Sequence, residues 1–159
     1  EWGLEHRPGM GAGAALRDLR TAGLMEDTLS SDLQIYTAAA SDVRVSGSFV
    51  PIMTCAGSGN HGITAIVPVM RAAQRLGASE ALTLQALALS CLLTTYIKNY
   101  SGKLSGMCGC GVAAATGASA AICMMMGGGL LIIIFAVVAA MSTVSSSIAV
   151  AANMDVDGE

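Results

Sequence analysis

Two stretches of this sequence gather side chains that could do chemistry. The first is Thr54-Cys55-Ala56-Gly57-Ser58-Gly59-Asn60-His61-Gly62. Glycines this dense let backbone N–H groups crowd around a small ligand, and a helix starting after them would aim its positive end at the same place. Ser58, Asn60 and His61 add a hydroxyl, an amide and an imidazole, a set that could hold a carboxylate and offer a general base. Ser58 and His61 are therefore candidate catalytic residues, and Gly57, Ser58, Gly59, Asn60 and Gly62 candidate substrate-binding ones. The plainer reading is a tight turn in which Asn60 and His61 satisfy backbone groups. No Gly-Lys-Ser/Thr ending follows, so the stretch is not a nucleotide phosphate loop.

The second stretch runs from Lys98 to Gly111 and holds Cys108-Gly109-Cys110. Cysteines two apart do not share a helix face, so both cannot easily bind one metal from a regular helix. A Cys108 at a helix start would have its thiolate favoured by the dipole, as a ligand or nucleophile needs. A closed zinc site takes about four Cys or His ligands, and a lone C-x-C supplies two. By chemistry alone a buried structural cysteine is the simpler account. Lys98 and Lys103 flank a polar turn whose solvation explains them, and Lys98 is kept as a third catalytic candidate. Cys91 within a leucine-rich segment, and Cys123 beside Met124, Met125 and Met126, read as core.

The elements that must position these groups read as helices throughout. Ala15, Leu16, Leu19 and Ala22 recur at helical spacing in 12–24. Ser30 or Ser31 is expected to cap a second helix carrying Leu33, Ile35, Tyr36, Ala39 and Ala40. Gly47 and Pro51 mark an irregular piece, and 55–62 reads as a loop. A helix holding Pro68, at its first turn or at a kink, ends at Gly77. Ser79 caps the longest helix, Glu80 to about Asn99. Its leucines cover most of its circumference, which predicts a central, buried element. A small-residue helix from Met107 to Met126 stops at Gly127-Gly128-Gly129. Period-2 alternation is absent, so the expected fold is all-α: a single domain over 1–159, a compact bundle of small-residue-rich, mostly buried helices with a Gly-rich loop.

Composition narrows the function classes. Of 159 residues, 53% are hydrophobic, enough for a real core, while aromatics are only 4%. Eight basic and eleven acidic residues give a net charge of −3 with no basic stripe, so nucleic-acid binding is not expected. The run Leu130–Met141 is shorter than the ~20 apolar residues of a membrane span and lacks a basic flank. Buried core is the expectation there, and membrane insertion is not. The opening Glu1-Trp2-Gly3-Leu4-Glu5 has no apolar signal-peptide core. An odd count of five cysteines without a secretory signal argues for a reducing, cytoplasmic location.

Several blocks, in order and spacing, resemble the L-cysteine desulfidase family, which is related to the iron–sulfur L-serine dehydratase alpha chain. They are Ala38-Ala39-Ala40-Ser41-Asp42-Val43-Arg44, then Gly57-Ser58-Gly59-Asn60-His61-Gly62-Ile63-Thr64-Ala65 with Pro68-Val69, then Tyr96-Ile97-Lys98 leading to Leu104-Ser105-Gly106-Met107-Cys108. The resemblance covers about 2–127, and Ser-Gly-Asn-His-Gly is its most specific part. Some relatives carry Gln in place of His61. It implies a lyase of amino-acid catabolism that works without pyridoxal phosphate, eliminating the β-substituent of L-cysteine or L-serine to leave pyruvate and ammonia. It also implies a [4Fe–4S] cluster held by three cysteines, with Cys108 at one ligand position.

The family's other two cluster motifs, Gly-Cys-Thr-Glu-Pro and Cys-Asp-Gly-Ala, do not occur in this sequence. An absent or incomplete cluster is therefore expected, with the site left for a second copy or a companion chain to complete. The segment 128–159 reads as a divergent apolar tail. Two rival readings follow: a non-catalytic helical domain of the same descent, and a small membrane protein anchored near 123–152.

Overall fold

The computed structural model describes residues 1–101, 108–134 and 138. Six α-helices form among these residues: α1 (Trp2–His6), α2 (Ala12–Thr21), α3 (Leu29–Val45), α4 (Gly59–Leu76), α5 (Glu80–Ser101) and α6 (Ala115–Met125). A π-helical turn, Cys110–Ala114, leads directly into α6. No strand occurs among the described residues, and the all-α expectation stands.

Local chemistry explains most of the boundaries. Thr28, not Ser30 or Ser31, caps α3: its hydroxyl accepts from the Ser31 N–H at 3.1 Å, while Ser31 Oγ accepts from the Thr28 N–H at 3.0 Å. That reciprocal pair satisfies two amides left open by the helix start. Gly77, at φ 64°, ends α4 in the left-handed conformation that glycine adopts without a Cβ penalty. Ser79 Oγ accepts from the Leu82 N–H at 3.3 Å, as its capping role requires. Pro68 lies mid-helix in α4 rather than in its first turn.

Small residues set the helix spacing. A Cβ on Gly13 would fall 2.5 Å from Ala39 Cα, and one on Gly117 would fall 2.5 Å from the Ser90 carbonyl oxygen. Only hydrogen at those positions permits the α2–α3 and α5–α6 contacts. Ser90 Oγ in turn donates to the Ala65 carbonyl of α4 at 2.7 Å. Val69, Ala72, Ala73, Ala86, Ala118, Ala121 and Met125 fill the core where α4, α5 and α6 meet.

An ion network holds α2, α3 and α4 together. Asp32 of α3 is buried and accepts from Arg20 of α2 at 2.7 Å and from Arg71 of α4. The Arg71 guanidinium also sits 4.1 Å over the Tyr36 ring, a cation–π contact. Asp42, also buried, accepts the Gly13 N–H at 2.9 Å and so caps α2 from the neighbouring helix.

Two burial expectations are corrected. α5 is not buried all round: only Ala86, Ser90 and Thr94 are, while Leu84, Leu92, Tyr96 and Tyr100 are exposed. Its core face is a narrow stripe of small residues at i, i+4 and i+8, against which α4 and α6 pack; the leucines lie beside or behind it. By length and composition α5 could cross a membrane. The run from Leu130 was expected to be core, yet Leu130, Leu131, Ile132, Ile134 and Val138 are exposed. Gly127 (φ 82°) turns the chain away from α6, whose core face Ala118, Ala121 and Met125 already close. Residues 135–137 and 139–141 of that run lie outside the described residues, as does most of 123–152.

Candidate functional site

The glycine-dense stretch is a tight turn followed at once by a helix. Cys55 and Ser58 exchange both backbone hydrogen bonds at 3.1 Å, closing a two-residue turn over Ala56 (φ 49°) and Gly57 (φ 77°). Both central residues are left-handed, the pattern of a type I′ turn. For Ala56 that conformation costs about 1–2 kcal/mol, so the surrounding contacts must hold it. The loop expected over 55–62 therefore ends at Ser58, and Asn60, His61 and Gly62 lie in the first turn of α4. Low helix propensity there is overridden by a cap and by packing. Ser58 Oγ accepts from the His61 N–H at 3.5 Å, and Gly62 lets the helix settle onto the 53–54 backbone, where a Cβ would collide with the Met53 carbonyl.

His61 is buried at 8% exposure and its Nδ1 has no hydrogen-bond partner. A Cβ on Gly109 would overlap its ring and fall 3.3 Å from Lys98 Nζ, so imidazole, ammonium and the start of the π turn occupy one corner. Burial, then the nearby Lys98 charge, holds the imidazole pKa below its usual 6.5; the Cys55 backbone acts weakly the other way. The ring is therefore neutral at pH 7, and a neutral buried imidazole can accept a proton.

The remaining candidates separate. Asn60, next to His61 on the helix, points elsewhere and is exposed. Consecutive helical residues do not share a face. Ser58 spends its hydroxyl as a helix cap, and Gly62 has a packing reason for being glycine. Cys108 is exposed, and its thiol pKa is lowered by the Gly111 and Cys110 backbone N–H groups, with burial opposing. Cys110 is raised by burial and by Cys108, while a Thr64 hydrogen bond and Arg44 pull it back. Cys91 packs with Cys55, Ala65 and Ala114, and burial together with Cys55 pushes its thiol up to about 11.

Sequence reasoning gave no role to three residues that the fold brings here. Arg44, from the end of α3, lies against Gly59; Thr64 is one turn along α4 beside Cys110; Gly109 seats His61. Arg44 and Thr64 stood within the blocks that carried the family resemblance, the one signal that could have raised them.

Among the described residues, no three His, Cys, Asp or Glu side chains come together as a metal site. They do not by themselves fit a [4Fe–4S] cluster, which is held by about three to four cysteines. An apolar cavity of about 260 Å³ lies between α1, α3 and α4, walled by Trp2, Tyr36, Val43 and Ile63. Its lining is apolar apart from Glu1, whose side-chain carboxylate would repel a substrate carboxylate, so the polar corner at the start of α4 is the better site.

The family model described as serine dehydratase alpha chain matches residues 4–146. The chain belongs to the serine dehydratase alpha chain family. The family match runs beyond 127, where the recognisable motifs stop, into the apolar tail. Similar proteins named UPF0597 occur in Alkaliphilus metalliredigens (46% identical over 117 residues, 74% of this chain and 26% of the relative). Another is found in Clostridioides difficile (44% over 120 residues, 76% and 28%), and a third in Nitratidesulfovibrio vulgaris (47% over 118 residues, 74% and 26%). The chain thus spans about a quarter of the length of these relatives. No solved structure matches this family member significantly.

Proposed function

We propose that this chain forms the substrate-side part of a lyase that eliminates the β-substituent of L-cysteine or L-serine. His61 carries the reading: a buried, neutral imidazole whose Nδ1 lacks a hydrogen-bond partner, set beside Lys98 at a helix start. His61 takes the α-proton, and the Cβ–S or Cβ–O bond breaks with its electron pair going to the leaving atom. The proton passes from His61 to the departing hydrosulfide or hydroxide, which leaves as hydrogen sulfide or water. The aminoacrylate that remains tautomerises to an imine, which water hydrolyses to pyruvate and ammonia. The Lys98 charge and the N-terminal dipole of α4 stabilise negative charge building on the carboxylate side as the proton leaves. Ser58 fixes the first turn, and with it the direction of the imidazole.

Family membership supports an iron–sulfur cofactor in the complete enzyme, which would supply Lewis-acid chemistry toward the leaving group. Cys108 is the ligand we assign from this segment: it is exposed and its thiolate is favoured. The other ligands come from a companion chain or from another copy. A cytoplasmic setting suits the thiols, all free.

Anaerobic reconstitution with iron and sulfide, followed by pyruvate release from L-cysteine and from L-serine, tests the reading. His61→Ala should lower kcat more than it raises KM. An unchanged kcat makes His61 a structural or binding group. A cluster that forms equally well on Cys108→Ser removes Cys108 from the ligand set.

A further inference from the structure

Among the described residues, Arg44 is the arginine without a carboxylate partner. Arg7, Arg17, Arg20, Arg71 and Arg75 each pair with an aspartate, and among the described residues Arg44 pairs with none. It is not simply adrift in solvent. A Cβ on Gly59 would fall 2.8 Å from Arg44 Cζ, so the guanidinium rests on the residue that opens α4. Glycine at 59 is what admits it.

The surroundings concentrate positive potential. The first turn of α4 contains no acidic residue, and α4 is 18 residues long. The amides of Gly59 and Asn60 have no intrahelical acceptor at a helix start, and Ser58 satisfies only that of His61. Lys98 adds charge near the His61 ring. Independently of the helix end, His61 is more than nine-tenths buried with Nδ1 unpartnered, a cost met when a ligand supplies the missing bond.

We propose that Arg44 anchors the substrate's α-carboxylate, holding it between the guanidinium and the open N–H groups of Gly59 and Asn60, with Cα toward His61. The inference rests on the site assigned above and adds to it the group that selects free α-carboxylates. Arginine suits the task because its planar fork can grip both carboxylate oxygens, which a lysine ammonium cannot. An Arg44 that merely favoured the C-terminal dipole of α3 would show no preference among ligands.

Calorimetric titration of the full chain with L-serine and with L-serinamide, which lacks the carboxylate, distinguishes the cases. The wild-type chain should bind L-serine at least about tenfold more tightly. Arg44→Gln should weaken L-serine by about 10- to 100-fold, the range for a lost charge-assisted hydrogen bond, and leave L-serinamide unchanged. Arg44→Lys should fall between. An Arg44→Gln chain that keeps its preference for L-serine overturns the assignment. Equal wild-type affinity for the two ligands also overturns it, while leaving the His61 site intact. No wild-type binding of either ligand sinks the site reading and this inference together. If Arg44→Gln does not fold, the Arg44 Nε–H resonance of the wild-type chain decides. It should shift with L-serine and stay put with L-serinamide, and a resonance unmoved by L-serine refutes the anchor.

Discussion

Replacing Asp32 by Asn keeps the shape of the side chain and removes the charge on which Arg20 and Arg71 converge. Asp32 is 1% exposed, and the two arginine side chains are 23% and 22% exposed. Removing one partner of a buried pair costs about 3–5 kcal/mol when the other is stranded. Here neither arginine is fully stranded: Arg20 also reaches Asp27 at 3.3 Å, and Arg71 reaches Gln74 at 3.1 Å. Asn also retains one carbonyl acceptor. The expected loss is therefore about 2–3 kcal/mol, or roughly 5–10 °C in Tm for a domain of this size. Burial alone would raise the Asp32 pKa above 3.8, but hydrogen bonds from Arg71 and Arg20 outweigh it and the net shift is downward. A carboxyl depressed in the folded state stabilises above its unfolded pKa, and that contribution is lost as pH falls through the folded value. Urea unfolding at pH 7 and near pH 2.5 should therefore show a wide gap between wild type and Asp32→Asn that narrows in acid. A gap of equal size at both pH values would refute the electrostatic account and leave only packing.

Three further outcomes follow from the site. In an NMR titration the His61 ring should protonate below pH 6.5, and Lys98→Met should move its midpoint upward; a wild-type midpoint at or above 6.5 contradicts the buried, charge-flanked setting. Gly62→Ala should destabilise by about 1–3 kcal/mol, the cost of overpacking, because its Cβ meets the Met53 carbonyl; an unchanged urea midpoint would place the helix start elsewhere. Brief iodoacetamide treatment at pH 7.5, read by peptide mass spectrometry, should label exposed Cys108 well before Cys91, whose thiol sits at about 11; the reverse order would be decisive against it.

What could be read in advance was whatever short-range chemistry decides. The Gly77 stop and the Ser79 cap depend on a few neighbouring residues, and the sequence displays them; α2 forms where expected, but it buries Gly13 and Ala14 and leaves Ala15, Leu19 and Ala22 exposed. Thr28 escaped notice because three hydroxyls compete in Thr28-Leu29-Ser30-Ser31, and only the reciprocal bond with Ser31 selects the cap. The first turn of α4 looked like loop because Gly59-Asn60-His61-Gly62 has poor helix propensity. Its helicity comes from Ser58 and from the Met53–Thr54 backbone pressing on Gly62, a contact that composition cannot reveal. For α5, the number of leucines suggested burial all round, whereas the packed stripe is made of its smallest residues. The catalytic candidates His61 and Lys98 could be picked out by type. Their meeting at Gly109, and the arrival of Arg44 from α3, required the fold.

The π turn at Cys110–Ala114 sets how the cysteine end is aimed. There the Ala115 N–H bonds back to the Cys110 carbonyl, five residues earlier rather than four. Such a turn behaves as one residue inserted into an ordinary helix, and each helical residue corresponds to about 100° of rotation. Val112, Ala113 and Ala114 stay buried and α6 keeps its contacts with α4 and α5, while Cys108 and Gly109 are rotated relative to that face. The heading of Cys108 is thus a matter of residue count more than of side-chain identity. Deleting a single residue from 110–114 would leave the composition of α6 almost untouched and swing the thiol about a quarter-turn from its present heading.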